Sequence, residues 1–372
     1  MRLSREICLG GRLNGKEILG IKYNGCIIYP LEREEDYSDC IVAYASERIA
    51  SLPELYGYSD SDYIVEESVN NNGLIITKIK PVDENKLPNY ISFYDNDTVK
   101  KIMKLRGNIL VNAVGWVYSF RSCELLEYIN VSEIDISNIS TLNNFFDDCT
   151  NLTTIVGLNN FNTEHITDMA GMFSNCKKIK SINLSSFDTS SVTNMASMFL
   201  DCESLKKIDL SHFDTSNVQD MNCMFYLCYE LEEVDMRNFD MTNVPKKIVT
   251  GNVTPSTPNN CEIFGLCDKL RVLRLDNCSN DTIDKIISSY RFPTGTIDGE
   301  TRKIYCKREN AAGLTAPDGW EFIYMDTLVS YDESQEKLLA PDYVVAELID
   351  EQLIINDGFA DYDADNENIN IN

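Results

Sequence analysis

The chain has few histidines and few basic residues, and both shortages exclude kinds of protein. Its 372 residues include two histidines, which leaves little room for imidazole-based catalysis or for a histidine-rich metal site. Its 33 Lys and Arg residues stand against 59 Asp and Glu residues, a formal net charge of −26. A chain this acidic repels phosphate backbones and anionic membrane surfaces, so we predict no nucleic-acid binding.

Long apolar runs are also missing. The longest apolar runs span only a few residues, so we predict no membrane insertion. The start, Met1-Arg-Leu-Ser-Arg-Glu-Ile-Cys, carries charges but no apolar core, so no signal peptide is visible. Hydrophobic residues nevertheless make up 43% of the chain, which is typical of a folded protein. At ~100–200 residues per domain, the length predicts two or three domains.

Cysteine is the residue that the chain has in excess, and six of the 13 cysteines mark a repeat. Each of the six follows a phenylalanine by three residues, and successive cysteines are 26, 27, 26, 26 and 39 residues apart. The last interval equals one repeat plus an insertion, which we place within 246–260. The repeat pairs are Phe120 and Cys123, Phe146 and Cys149, Phe173 and Cys176, Phe199 and Cys202, Phe225 and Cys228, and Phe264 and Cys267.

The spacing within one repeat predicts a helix followed by a short strand. Met195, Met198, Phe199, Cys202 and Leu205 fall on one helical face, with Asn194 as its N-cap. The next residues, 207–210, alternate between polar and apolar, as in a strand. Because one repeat cannot bury its apolar face alone, we expect the repeats to stack.

The repeat is recognisable as a family motif. The segment Phe187-Asp-Thr-Ser-Ser-Val-Thr-Asn-Met-Ala-Ser-Met-Phe-Leu-Asp-Cys-Glu-Ser-Leu-Lys-Lys-Ile-Asp-Leu-Ser resembles the repeat of BspA-type leucine-rich-repeat surface proteins. The next repeat, from Phe213-Asp-Thr-Ser-Asn-Val, is equally similar. The resemblance implies an α/β leucine-rich-repeat solenoid of about six to seven rungs, used for binding rather than catalysis. We therefore expect no enzyme activity and no cofactor.

The flanks resemble other proteins. Leu13-Asn-Gly-Lys-Glu-Ile-Leu-Gly-Ile-Lys-Tyr-Asn-Gly-Cys-Ile-Ile-Tyr-Pro has two Asn-Gly turns between short apolar strands, which predicts two hairpins. It is similar to the N-terminal module of tail or other virion-surface proteins of phages of gut bacteria. Ile304-Tyr-Cys-Lys-Arg-Glu-Asn-Ala-Ala-Gly-Leu-Thr-Ala-Pro-Asp-Gly-Trp-Glu-Phe-Ile-Tyr resembles the segment that closes repeat arrays in phage proteins.

These features divide the chain into five predicted parts. They are a β-hairpin attachment module at 1–36, a small α+β segment at 37–96, the solenoid at 97–278, a capping region at 279–326 and an acidic tail at 327–372. Within the second part we predict a helix over 38–52 and a hairpin of strands 64–69 and 74–79. In the capping region we predict a helix over 282–290.

The strand face of the repeats is the predicted binding surface, because solenoids bind partners there. Its outward residues come five and seven positions after each cysteine and are mostly polar, with one aromatic. They are the candidate binding residues Tyr128, Asn130, Ser181, Asn183, Lys207, Asp209, Glu233, Asp235 and Arg274, together with Thr154, Val156 and Val272.

Other chemical sites are weakly indicated. Cysteines of neighbouring repeats lie close enough to form disulfides with one another, but we favour a row of reduced, buried thiols. Cys223 and Cys228 are too isolated a pair to indicate zinc. The acidic run at 361–372 begins like a calcium loop but lacks its central glycine and final glutamate. His165 and His212 fall in the turns of two different repeats and read as surface residues.

The leading functional prediction is a structural or adhesive component of a tailed-phage virion. Its N-terminal module would contact other virion proteins, and its repeats would contact protein neighbours or a host surface protein or glycan. We expect an oligomer in the assembled particle. The alternative is a bacterial cell-surface adhesin of the BspA type, and a third interpretation, a depolymerase, has no supporting motif.

Overall fold

In the computed structural model the chain divides into two compact units. One unit comprises 1–38 and 329–372, and the other comprises 39–328. The structure describes residues 41–46, 63–70, 73–82, 93–108, 120–245 and 262–325, together with eight short strands nearer the termini.

Most regular structure in the described residues is β-strand. The strands are β1 (Arg12–Leu13), β2 (Lys16–Glu17), β3 (Ile21–Tyr23), β4 (Cys26–Ile28), β5 (Ile41–Ala45), β6 (Tyr63–Val69), β7 (Ile75–Pro81), β8 (Val99–Asn108), β9 (Tyr128–Asn130), β10 (Glu133–Asp135), β11 (Thr154–Val156), β12 (Lys207–Asp209), β13 (Glu233–Asp235), β14 (Val272–Arg274), β15 (Arg302–Cys306), β16 (Trp320–Tyr324), β17 (Ser330–Asp332), β18 (Lys337–Leu339), β19 (Val345–Ile349) and β20 (Gln352–Asn356). The α-helix that the described residues contain is α1 (Asn280–Ile287), and Leu158–Asn160 and Glu309–Ala311 form single 3-10 turns.

The described residues of the first unit form antiparallel hairpins. β1 pairs with β2 and β3 with β4, on either side of the two Asn-Gly dipeptides, so the predicted hairpins are confirmed. Near the other terminus β17 pairs with β18 and β19 with β20. The second of these hairpins pairs Leu348 with Leu353, inside the segment predicted as an acidic tail.

The second unit contains two larger sheets. The first runs in the order β11-β9-β8-β5-β7-β6, with β10 also paired to β8. The second runs in sequence order from β12 to β16 and is parallel throughout. The predicted hairpin of β6 and β7 is confirmed, and α1, whose N-cap Ser279 accepts a hydrogen bond from the N–H of Thr282, lies where a helix was predicted.

The α/β leucine-rich-repeat solenoid prediction is wrong, because the repeats contain turns where helices were expected. The segment from Met195 to Leu205 is a series of turns. Asp201, in the middle of the predicted helix, has φ +56°, a left-handed conformation that stops a right-handed helix. The N–H of Phe199 donates to the carbonyl of Met224 in the next repeat (2.9 Å) instead of to the preceding turn of a helix.

The predicted helix over 38–52 is also wrong where it can be compared. Ile41, Ala43 and Ala45 form alternate positions of β5 and are at most 1% exposed. β5 lies between β7 and β8 and pairs with both, so its backbone hydrogen bonds are used by the sheet. Alternating small apolar residues suit this central position better than one side of a helix.

The repeat phenylalanines form the centre of the core. Their rings stack one upon the next, with centroids 5.2 to 6.1 Å apart and interplanar angles of 3° to 19°. The series comprises Phe93, Phe120, Phe146, Phe173, Phe199, Phe225 and Phe264. Phe292 and Trp320 continue the contacts toward β16. The 26-residue spacing therefore places equivalent aromatic rings one above another.

Candidate functional site

The strand-face residues fall into two groups in the structure. Tyr128 and Asn130 lie on β9 in the first sheet, and Lys207, Asp209, Glu233, Asp235 and Arg274 lie on β12, β13 and β14 in the second. Ser181 and Asn183 are exposed and belong to no strand. The line of strands is therefore interrupted between β11 and β12, and the candidate residues do not form one continuous sheet surface.

Candidate residues seven positions after the repeat cysteines form side-chain hydrogen bonds to the backbone. Asn130, Asn183, Asp209 and Asp235 each accept, through a side-chain oxygen, the N–H of the residue two positions later, at 2.8 to 3.1 Å. This Asx turn ends the strand at Asn130, Asp209 and Asp235, and at Asn183 it turns the chain without a preceding strand. These four side chains thus have a structural role that the spacing alone did not reveal.

Two members of the candidate face are buried. Asp235 is 0% exposed, and Arg237 binds its carboxylate through Nε at 2.9 and 3.0 Å. Removal from water raises the pKa of Asp235, despite the opposing effect of Arg237. On the next strand Arg274 is 9% exposed and pairs with Asp276 at 3.2 Å. The charged groups at the β13 and β14 end of the strand face therefore already pair with neighbouring side chains.

The remaining charged pair on this face is also internally satisfied. Lys207 Nζ lies 2.7 Å from Glu233 Oε1, and the two side chains are only 19% and 18% exposed. The two residues are in register on β12 and β13. A partner that bound here would have to compete with contacts already formed, so the strand face of β12 to β14 is poorly suited to recognition.

The repeat cysteines act as hydrogen-bond donors between repeats. Each thiol donates to the carbonyl of the phenylalanine one repeat earlier, at 2.9 to 3.3 Å. The six repeat cysteines form no disulfide, so the reduced alternative applies to them. Burial raises the pKa of Cys123 to about 12 and that of Cys202 well above its ordinary value. A buried, protonated thiol is a poor nucleophile.

The two histidines lie in different repeats, and each contacts a backbone carbonyl. His165 Nε2 is 3.1 Å from the carbonyl oxygen of Ile136, and His212 Nε2 is 2.8 Å from that of Leu184. Both contacts join neighbouring repeats. Within the described ranges no cluster of three or more His, Cys, Asp and Glu residues is arranged to hold a metal ion.

A tyrosine-rich surface was missed by the sequence reasoning. Tyr226 and Tyr229 follow Phe225 within the predicted helix, and Tyr290 and Arg291 follow α1. Tyr229 and Tyr290 are 41% and 36% exposed. The available signal was that the positions following Phe120, Phe146 and Phe173 are polar, whereas those following Phe225 are aromatic and aliphatic.

Comparison with known proteins finds one family. The family described as "Mycoplasma protein of unknown function, DUF285" matches residues 116–226 and 140–253. This similarity covers part of the repeats and is consistent with the resemblance to BspA-type repeat proteins. No curated protein matches the chain. None of the helices that the structure describes has the length and hydrophobicity needed to cross a membrane.

Proposed function

We propose that the protein is a non-enzymatic structural or adhesive component of a tailed-phage virion, in which the repeats form a contact module. The observation that carries the proposal is the use of polar groups between repeats. Thr189 illustrates it: its hydroxyl donates to the carbonyl of Asp214 at 2.9 Å and accepts the N–H of the same residue at 2.9 Å. A module braced in this way suits contact more than a chemical step.

The assignment to a virion rests on the flanks. The Asn-Gly hairpins near the N-terminus are similar to attachment modules of phage surface proteins, and 304–324 resembles a segment that closes repeat arrays in such proteins. On this proposal residues 1–36 attach the protein to the particle. The repeats then project from the particle or pack against neighbouring virion proteins.

Mass spectrometry of purified virions tests the proposal. The protein is expected in particles of the phage that encodes it, at a constant ratio to the major capsid protein. A variant without residues 1–36 should be made in the host and be missing from particles. A variant without residues 357–372 is the control and should be retained. Reproducible absence of the full chain from complete particles would contradict the proposal.

The second candidate is a bacterial cell-surface adhesin of the BspA type. The match to the DUF285 family over 116–253 favours it, since that match concerns the repeats and not the phage-like flanks. Labelling of intact bacteria with a membrane-impermeant amine reagent separates the two. Labelled protein on uninfected cells supports the adhesin, and labelling confined to purified particles supports the virion component.

A further inference from the structure

The side of the repeats that carries the turns changes its chemistry along the chain. We call this side the turn face. The residue directly after each core phenylalanine lies in a turn on this side. These residues run from charged and polar to aliphatic and aromatic, and the last is glycine. In repeat order they are Arg121, Asp147, Ser174, Leu200, Tyr226 and Gly265.

Gly265 makes room for the ring of Tyr226. A Cβ atom at position 265 would lie 2.5 Å from Cδ2 and 2.8 Å from Cε2 of Tyr226, closer than carbon atoms pack. A larger residue at 265 would have to displace the Tyr226 ring, and glycine avoids this displacement. The Tyr226 ring therefore lies against the backbone of the following repeat.

Arg291 holds a second ring beside the first. Its Nη1 donates to the Tyr226 hydroxyl at 2.8 Å, and its guanidinium carbon lies 5.2 Å from the centre of the Tyr290 ring. The same Nη1 is 4.0 Å from Oε2 of Glu262. Two rings, a guanidinium and a carboxylate are therefore held together on a surface that solvent reaches.

Two leucines on the same face occupy an unfavourable backbone conformation. Leu227 and Leu266 have φ values of +67° and +63°. The equivalent left-handed residues of the earlier repeats are short and polar, and such residues tolerate this conformation better than leucine does. They are Ser122, Asp148, Asn175 and Asp201. The backbone does not call for leucine here, and strain of this kind is often retained where a surface has a function.

We propose that this surface, the tyrosine patch, binds a neutral carbohydrate chain. Sugar rings combine apolar C–H faces, which pack on aromatic rings and leucines, with hydroxyls, which hydrogen-bond to guanidinium and carboxylate groups. The carboxylate of Glu262, 4.0 Å from Arg291, and the net charge of −26 disfavour sialylated and uronic-acid glycans. The tyrosine patch has Arg291 and the two tyrosines it contacts, Tyr226 and Tyr290, at its centre, and it includes the partly exposed or exposed residues Leu227, Tyr229 and Leu266 of the same two repeats.

The proposal deepens the adhesive function and rests on it for the source of the ligand, a host surface. Recognition then occurs on the turn face and not on the strand face, where Asp235 and Arg274 already pair with Arg237 and Asp276. A protein partner that used the same aromatic surface is the competing occupant. The preorganised pair of rings and the neighbouring carboxylate favour the carbohydrate.

The test uses the purified full chain on a panel of immobilised oligosaccharides, both neutral (glucose, galactose, mannose and N-acetylglucosamine chains) and anionic. Binding to at least one neutral class is expected. Tyr229→Ala and Arg291→Gln should each weaken that binding about tenfold. Val69→Ala is the matched control, since Val69 is an apolar residue 69% exposed on β6, and it should bind like the wild type.

A further variant separates binding from folding. Leu227→Asn installs a residue type that the earlier repeats carry at this position, so the melting temperature should stay the same or rise while glycan binding falls. A fall in melting temperature with unchanged binding would assign Leu227 to stability alone.

Two results would overturn the proposal. The first is binding to no neutral glycan, or equal binding by the Tyr229→Ala variant. The second is the capture of a purified host-surface protein by a photo-crosslinker placed at position 229, together with no binding to any glycan of the panel. Neither result bears on the presence of the protein in virions, which mass spectrometry decides separately.

Discussion

The thiol of Cys202 lies 3.2 Å from the carbonyl oxygen of Phe173, one repeat earlier, and donates a hydrogen bond to it. Cys202 is 0% exposed. Cysteine suits this position because it is small and apolar and still offers a weak donor. The 26-residue spacing of the cysteines thus reflects a bond between repeats.

Replacing Cys202 tests that bond. Cys202→Ala removes the donor and leaves a small void, and we expect it to lower the free energy of unfolding by about 1–2 kcal/mol. Cys202→Ser keeps a donor at the same place and should lose less. Urea denaturation measures both variants. If serine proves as damaging as alanine, the hydrogen bond is not what selects cysteine.

Alkaline pH should destabilise the repeats through their thiols. Burial raises the pKa of Cys123 from 9.0 to about 12 and that of the half-buried Cys223 to about 11. Because the pKa is raised in the folded state, the buried thiol's contribution to the free energy of unfolding is complete below pH 9 and is lost as the pH rises toward 12. Thermal melts between pH 8 and pH 12 measure this loss as a fall in melting temperature. The fall should be smaller for Cys123→Ala, which lacks one of the titrating thiols.

Thiol reactivity gives an independent check of the same burial. At pH 8 the folded protein should alkylate slowly at Cys123 and Cys202, and faster at the partly exposed Cys223. Unfolding in guanidinium should make all three reactive. Rapid alkylation of Cys202 in the folded chain would show that the core is open to solvent.

The threonine that joins repeats should tolerate serine but not valine. Thr189 is 1% exposed, and Thr189→Val leaves both the N–H and the carbonyl of Asp214 without this hydroxyl. We expect a loss of about 2–3 kcal/mol from unpaired groups of this kind. Thr189→Ser keeps both bonds and serves as the matched control. Equal stability of the two variants in urea would contradict the pairing.

Asp235 and Asp209 offer a matched pair on the strand face. Both accept the N–H two residues later, but Asp235 is buried and paired with Arg237, whereas Asp209 is exposed. Asp235→Ala removes a buried carboxylate that accepts hydrogen bonds from the partly exposed guanidinium of Arg237, and it should cost about 1.5–3 kcal/mol. Asp209→Ala should cost much less. Similar losses in chemical denaturation would mean that the charge network adds nothing beyond the turn.

The sequence predicted positions in the core better than backbone conformation. The Phe–Cys spacing correctly placed residues such as Phe173 and Cys176 inside, because equal spacing brings equivalent residues together. The helix failed because Met, Phe and Cys at steps of three and four also fit successive turns, with left-handed residues between them. Asn175 and Asp201, two positions after a core phenylalanine, were the signal for those turns.

The binding surface was harder to predict for a different reason. Alternation along a strand distinguishes inward from outward residues, and it placed Asp235 and Arg274 outward. It cannot show that neighbouring charged side chains such as Arg237 and Asp276 then cover them. The contact between Tyr226 and Arg291 joins residues 65 positions apart, and no local pattern predicts such a pair.

Amide hydrogen exchange tests most directly the claim that backbone bonds between repeats, and not helices within them, hold the module together. Phe146, Phe173 and Phe199 each donate an N–H to the next repeat, at 2.9 Å, whereas 181–183 form no strand. We predict that the three phenylalanine amides exchange only through global unfolding and that the amides of 181–183 exchange much faster. Fast exchange at the three phenylalanines, or equal protection at 181–183, would contradict the account.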